Sequence, residues 1–133
     1  MTNAAKTYTQ LAVEGTSPVG LVVALYDNVM KSLYQARRAV LANDIERRTQ
    51  HLNHALSVVA HLEGTLDMEQ GGEVAMTLSH FYTYARHKIL EVSLSNSAQK
   101  LEELLFDFSS LRGAWQVVDK QVSEETQSRA GQS

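Results

Sequence analysis

Five histidines first invite a chemical reading: His51, His54, His61, His80 and His87. On a helix His54 and His61 share one face, as do His80 and His87. Two histidines so placed can begin a metal site, but a metal wants a third ligand. The chain holds no HExxH, and no Glu-x-x-His pair of the kind that builds carboxylate-bridged metal sites inside four-helix bundles. Phosphoryl transfer to histidine would want an exposed ring with a lysine beside it. Only His87-Lys88 comes close, and no histidine stands in a His-x-x-Lys-Gly context. There is no cysteine to serve as nucleophile, thiolate ligand or disulfide partner. No Gly-x-x-x-x-Gly-Lys loop and no Gly-x-Ser-x-Gly elbow occurs. Gly71-Gly72 follows the acidic run DMEQ, a poor setting for a phosphate. The expectation is a protein without catalysis, metal or cofactor, whose histidines are solvated or face a partner.

The elements that position these side chains are helices. One proline in 133 residues leaves nearly the whole chain free to be helical, and argues against a many-turned β protein. A chain of this length makes one domain, with a radius of gyration of roughly 14 Å. Ser17-Pro18 places an N-cap serine before a proline at the first helical position. Val22, Leu25, Tyr26, Val29, Leu33, Ala36 and Val40 then recur at helical spacing. Asn43-Asp44 offers a break and a fresh start. Ile45, Leu52, Ala55, Leu56, Val59, Leu62 and Leu66 stripe a second helix. The glycine pair reverses the chain before a third helix, striped by Val74, Leu78, Phe81, Ala85, Ile89 and Val92. Ser95-Asn96-Ser97 punctuates again, and Leu101, Leu104, Leu105, Phe108, Leu111, Trp115 and Val118 stripe a fourth.

Short connections between helices of matched length predict an all-α, antiparallel up-down four-helix bundle. Its helices are expected at about 18–42, 45–66, 73–94 and 97–118, within a bundle spanning 17–118. Residues 1–16 are expected as an N-terminal arm, extended or with a short helix, that leans on the bundle. Residues 119–133, DKQVSEETQSRAGQS, are expected as a frayed or disordered polar tail. With 12 basic against 15 acidic residues and a net charge of −3, no nucleic-acid partner is expected. The N-terminus lacks the apolar stretch of a signal peptide. The longest apolar run, Leu21 to Tyr26, falls far short of a membrane span, so a soluble cytoplasmic protein is expected.

The apolar residues exceed what one core needs. Beside the core stripe of the first helix, Val23, Met30, Tyr34 and Leu41 form a second stripe. On the third helix Met76, Leu90 and Leu94, interleaved with His80 and His87, lie opposite the core face. On the fourth, Phe106 points away from the core stripe. A broad core and packing by the arm would absorb some of this surplus. A surface that receives an apolar partner segment would use the rest, and methionine suits such a surface.

Several motifs, in order along the chain, carry a family resemblance. Tyr8 precedes the Thr16-Ser17-Pro18 helix start, followed by Leu25-Tyr26-Asp27. Within LDMEQGGEVAMTLSHFYTY, Gly71, Gly72, Glu73, Ala75, Leu78, Tyr82 and Tyr84 stand in matching order, and Leu-Arg-Gly-Ala-Trp closes at Trp115. From Tyr8 to Trp115 the sequence resembles the flagellin-specific export chaperone family, FliS. It departs from that pattern at Asn28 where glycine is common, Thr83 where aspartate is common, and His87-Lys88 where an arginine pair is usual. The resemblance implies a non-enzymatic cytoplasmic chaperone. Such a protein binds the disordered C-terminal region of flagellin, prevents its premature polymerisation and supports type III flagellar secretion. It also implies an N-terminal segment able to cover an apolar surface that the client uses, and possible contact with export apparatus components.

With the surplus stripes, this makes the candidate client-binding residues Tyr8 and Leu11 in the arm, and Leu21, Val23, Leu25, Tyr26, Met30 and Tyr34 on the first helix. Met76, Leu90 and Leu94 on the third and Phe106 on the fourth complete the set. No direct membrane insertion is expected, and the chain should be a monomer or weak homodimer. The alternative is a helical scaffold or homodimerisation module with no flagellin client.

Overall fold

A computed structural model describes residues 18–131. The expected arm, with Tyr8 and Leu11, lies outside the described residues. Four helices follow in order: α1 Pro18–Leu41, α2 Ile45–Gly64, α3 Gly72–Ser95 and α4 Ala98–Gly131. No strand occurs among the described residues.

The punctuation read from the sequence acts as local chemistry. Asn43 adopts a left-handed φ of 58°, and the Asp44 carboxylate caps α2 by accepting from the Arg47 backbone N–H at 3.1 Å. Asn96, at φ 55°, ends α3, and its side-chain oxygen accepts from the Arg48 guanidinium at 2.9 Å. The Ser97 hydroxyl accepts from the Lys100 N–H to start α4. Between α2 and α3, Gly72 turns at φ +53°, where a Cβ would be strained. A Cβ on Gly71 would sit 2.6 Å from the Asp67 carbonyl oxygen.

Cross-helix bonds fix the antiparallel order. Asp27 and Arg37 of α1 meet Arg112 and Glu102 of α4. Glu91 and Lys88 of α3 meet Lys100 and Glu103 of α4, and Glu63 of α2 meets Arg86 of α3. α1 packs intimately on α2 and α4, whereas α3 approaches its two neighbours more sparingly.

The core forms where the four stripes converge. Leu25, Val29, Leu33, Leu52, Val59, Leu62, Ile89, Val92, Leu101, Leu104 and Phe108 are buried in it. On α3 the buried face is Ala75, Leu78, Tyr82, Ala85, Ile89 and Val92. The sequence placed Val74 and Phe81 there instead. The face is turned by one residue, about 100°, in that half of the helix. Tyr82 can be buried because its hydroxyl meets that of Tyr26 at 2.8 Å. Phe81 packs half-buried beside it, and Val74 in the first turn of α3 is 65% exposed. The Trp115 indole N–H donates to the Tyr26 hydroxyl at 3.3 Å. Tyr26 and Phe81 each stand edge-on to Phe108, with centroids 5.3 and 5.0 Å apart.

Burial pushes the Tyr26 hydroxyl above its ordinary pKa and the Tyr82 hydroxyl far above it, with the neighbouring Tyr26 adding to the rise at Tyr82. A raised folded-state pKa favours the protonated fold. Its contribution is therefore complete below the unfolded value near 10, and is lost as pH rises above it. Denaturant titrations should show flat stability from these groups up to about pH 9. Above about pH 10 they should show a fall of up to about 1.4 kcal/mol per pH unit per group. Tyr82→Phe should flatten that slope.

α4 differs most from expectation. The segment from residue 119, expected as a frayed or disordered tail, is helical through Gly131. No proline or glycine interrupts residues 114–130, and Gln, Glu, Lys and Arg there are good helix formers. Every described side chain from Gln116 onward is exposed.

Candidate protein-docking surfaces

The structure divides the predicted docking residues. Leu21, Leu25 and Tyr26 belong to the core and present nothing to a partner, a correction to the surface role assigned from sequence. They sit on the inner face of α1, where the Tyr26 hydroxyl is already satisfied by Tyr82 and Trp115. Val23 and Met30 are half-buried and Tyr34 is 54% exposed, all on α1. Met76, Leu90 and Leu94 form an exposed stripe on the outer face of α3, with Leu94 at 90% exposure. Phe106 stands 72% exposed on α4. Since α1 and α3 lie diagonally across the bundle, these residues cannot line one groove.

The seam between α3 and α4 has two halves. Toward the α3–α4 turn it is a polar ladder. Glu91 accepts from Lys100, Glu103 from Lys88, and Asp107 from the Tyr84 hydroxyl at 3.0 Å. The Lys88 ammonium also bonds the Tyr84 oxygen and lies 5.2 Å from that ring's centroid. Burial alone would lower the pKa of Lys88, but its bonds to Glu103 and Tyr84 win and raise it. The same bond holds the Glu103 carboxyl below its usual range, and Lys100 does so for Glu91. An open hollow of about 620 Å³ beside this ladder is rimmed by Phe106.

Toward the other end the seam turns apolar. Val74, Thr77 and Leu78 of α3 face Leu111, Ala114, Trp115 and Val118 of α4 across a groove of about 400 Å³, with Glu73 at its lip. By helical spacing Val74, Leu111, Trp115 and Val118 belong to the core stripes. The signal that separates them is position: Val74 and Val118 are the terminal members of their stripes, where a bundle has least to cover them.

The histidines find modest roles. His54 Nε2 lies 2.6 Å from Asn28 Oδ1, and burial lowers the His54 pKa, with His51 adding to the shift. Asn28 thus has a partner of its own on α2. His80 and His87 are exposed on α3. Among the described residues no three His, Asp or Glu side chains converge as a metal site, and no helix is long and apolar enough to cross a membrane.

The model of the flagellar protein FliS family aligns with residues 1–122. The chain belongs to the FliS family. It is 32% identical over 123 residues to the flagellar secretion chaperone FliS of Salmonella typhimurium, covering 89% of this chain and 91% of that one. The Campylobacter jejuni protein of the same name is 31% identical over 111 residues, with 84% and 87% covered. That of Bacillus subtilis is 24% identical over 124 residues, with 93% and 90% covered. The FliS match reaches residue 122, within α4, so the apolar groove and the polar ladder both fall on aligned sequence.

Proposed function

We propose that this FliS-family chain is a flagellar export chaperone that binds the disordered C-terminal segment of flagellin in the cytoplasm. In this role it holds flagellin unpolymerised and hands it to the type III export apparatus. The observation that carries the reading is the apolar half of the α3–α4 seam. It is a groove with two helical walls, a Trp115 floor and no polar ladder across it. A groove of this kind takes the apolar face of an amphipathic helix. Each aliphatic or aromatic side chain fully seated there contributes about 1.5–3 kcal/mol. Ordering a disordered client costs part of that gain, which leaves binding reversible. Reversibility suits a chaperone that must release its client for export. The exposed Met76, Leu90 and Leu94 stripe and Phe106 extend the apolar surface for a client long enough to wrap the bundle. The Salmonella, Campylobacter and Bacillus relatives, each a flagellar secretion chaperone, support the chaperone role.

Isothermal titration with a synthetic flagellin C-terminal peptide tests the reading. One-to-one binding in the micromolar range or tighter is expected. Absence of binding at about 100 μM, an affinity weaker than roughly −5.5 kcal/mol, overturns it.

A further inference from the structure

The outer face of α1 carries a second kind of surface. Six basic side chains, Arg37, Arg47, Arg86, Lys88, Lys100 and Arg112, are paired with carboxylates. Lys31 and Arg38 are not: among the described residues neither has a carboxylate oxygen within 4.0 Å. Both are exposed on α1, on either side of the exposed Tyr34, three residues before it and four after. They share a hollow of about 550 Å³ with Met30 and Tyr34, bounded by Ser109 and Arg112 of α4. Arg38 is shared with an adjoining hollow of about 590 Å³ at the α1–α2 turn, where Arg47 and His51 stand. Unpaired cations thus frame an aromatic anchor on a chain of net charge −3.

We propose that this face of α1 docks an acidic amphipathic helix of a partner protein, at a site distinct from the α3–α4 groove. Lys31 and Arg38 lie about 10.5 Å apart along the helix axis, at 1.5 Å per residue. A partner helix presenting two carboxylates two turns apart, with an apolar side chain between them, meets Lys31, Tyr34 and Arg38 in register. Each carboxylate forms a charge-assisted bond, and the Arg38 fork can take its partner in two-pronged fashion. The intervening apolar residue covers Tyr34 and Met30. A protein segment suits this face better than an anionic bilayer or nucleic acid. Asp27 lines the same hollow and Asp44 the adjoining one, each already bonded to an arginine, which leaves Lys31 and Arg38 as two discrete cations rather than a continuous basic track for a sheet or rail of phosphates.

The test uses the full chain and a labelled alanine-based helical peptide bearing Glu-x-x-Leu-x-x-x-Glu, read by fluorescence anisotropy. A twin peptide with lysine for each glutamate is the control. The glutamate peptide should bind at least about tenfold tighter than its twin at low salt, and weaken as salt screens the contacts. Combining Lys31→Glu with Arg38→Glu should reverse the preference, while the flagellin peptide titrates within about twofold of the unaltered chain. Equal binding of the two peptides, or a glutamate peptide indifferent to the double change, overturns the proposal. So does an equal loss of flagellin-peptide affinity, which makes this face part of the client site. Binding to phosphatidylserine vesicles that the double change abolishes overturns it in favour of a membrane. If the flagellin peptide fails on the unaltered chain while the glutamate peptide binds, the chaperone reading falls and this one stands.

Discussion

Tyr26→Ala is expected to lower the unfolding free energy by about 3–5 kcal/mol, the range for removing a buried aromatic side chain. Tyr26 is fully buried and edge-on to both Tyr82 and Phe108. Its hydroxyl links the Tyr82 hydroxyl on α3 to the Trp115 indole on α4. Removing it opens a cavity at the crossing of three helices and strands two polar groups that it satisfied. Each stranded group adds to the cost when water cannot reach it. A domain has roughly 5–15 kcal/mol of stability in all, so the variant should be largely unfolded at modest denaturant. Tyr26→Phe keeps the ring and should cost about 1–3 kcal/mol. Chemical denaturation followed by far-ultraviolet circular dichroism measures both. A loss below about 1 kcal/mol for the alanine variant contradicts the packing described. The outcome also separates the two roles this residue could have. A core residue lowers stability and leaves the folded fraction binding normally, whereas a docking residue does the reverse.

The second large effect concerns the groove. Val74→Glu should weaken flagellin-peptide binding at least about 30-fold, because a bound helix would have to bury the new carboxylate against carbon without a partner. Glu73 already stands at the lip, so the added charge has no cation to meet. Because Val74 is so exposed, the melting temperature should barely move. Leu94→Glu, on the outer α3 stripe, should weaken binding only a few-fold, since a client passing there can keep its own polar side toward water. An unchanged affinity for Val74→Glu removes the groove from the client path. A larger loss for Leu94→Glu moves the main contact to the stripe.

Much of the bundle was legible because helix boundaries rest on local chemistry. Pro18, Asn43-Asp44, Gly71-Gly72 and Asn96-Ser97 each act within a few residues of themselves, and each lies at or beside a helix boundary. Facing was less legible. Whether Phe81 or Tyr82 turns inward depends on a hydroxyl some 56 positions away, which no local pattern reveals. The site was least legible. Val23, Met30, Tyr34, Met76, Leu90, Leu94 and Phe106 were recognised as surplus, but periodicity assigns a residue to a helix face without saying which neighbour covers it. Leu25 and Tyr26 stand both in the core stripe and in the candidate docking set, and with Leu21 they are buried. The groove residues Val74, Trp115 and Val118 were counted as core, because at the bundle's end a core-facing direction no longer means burial. The end of α4 departs from expectation for another reason. Polar composition lacks a core-facing signal, yet Gln, Glu, Lys and Arg need none to hold a helical backbone.

That long fourth helix has a consequence for dynamics. Arg112 stands opposite Asp27, and α1 begins at Pro18, so the last turns of α4 run past the start of α1 in register. Their exposed side chains bury nothing, and a single helix turn is held by little beyond its own hydrogen bonds. Amide hydrogens at Leu101 to Phe108 should exchange with solvent only when the whole domain opens. Those from Lys120 onward should exchange by fraying, orders of magnitude sooner. One continuous helix would then belong to two cooperative units, with the boundary near Trp115, where the groove lies. Protection spreading past that boundary on adding a client would mark docking there as the joining of the two units into one.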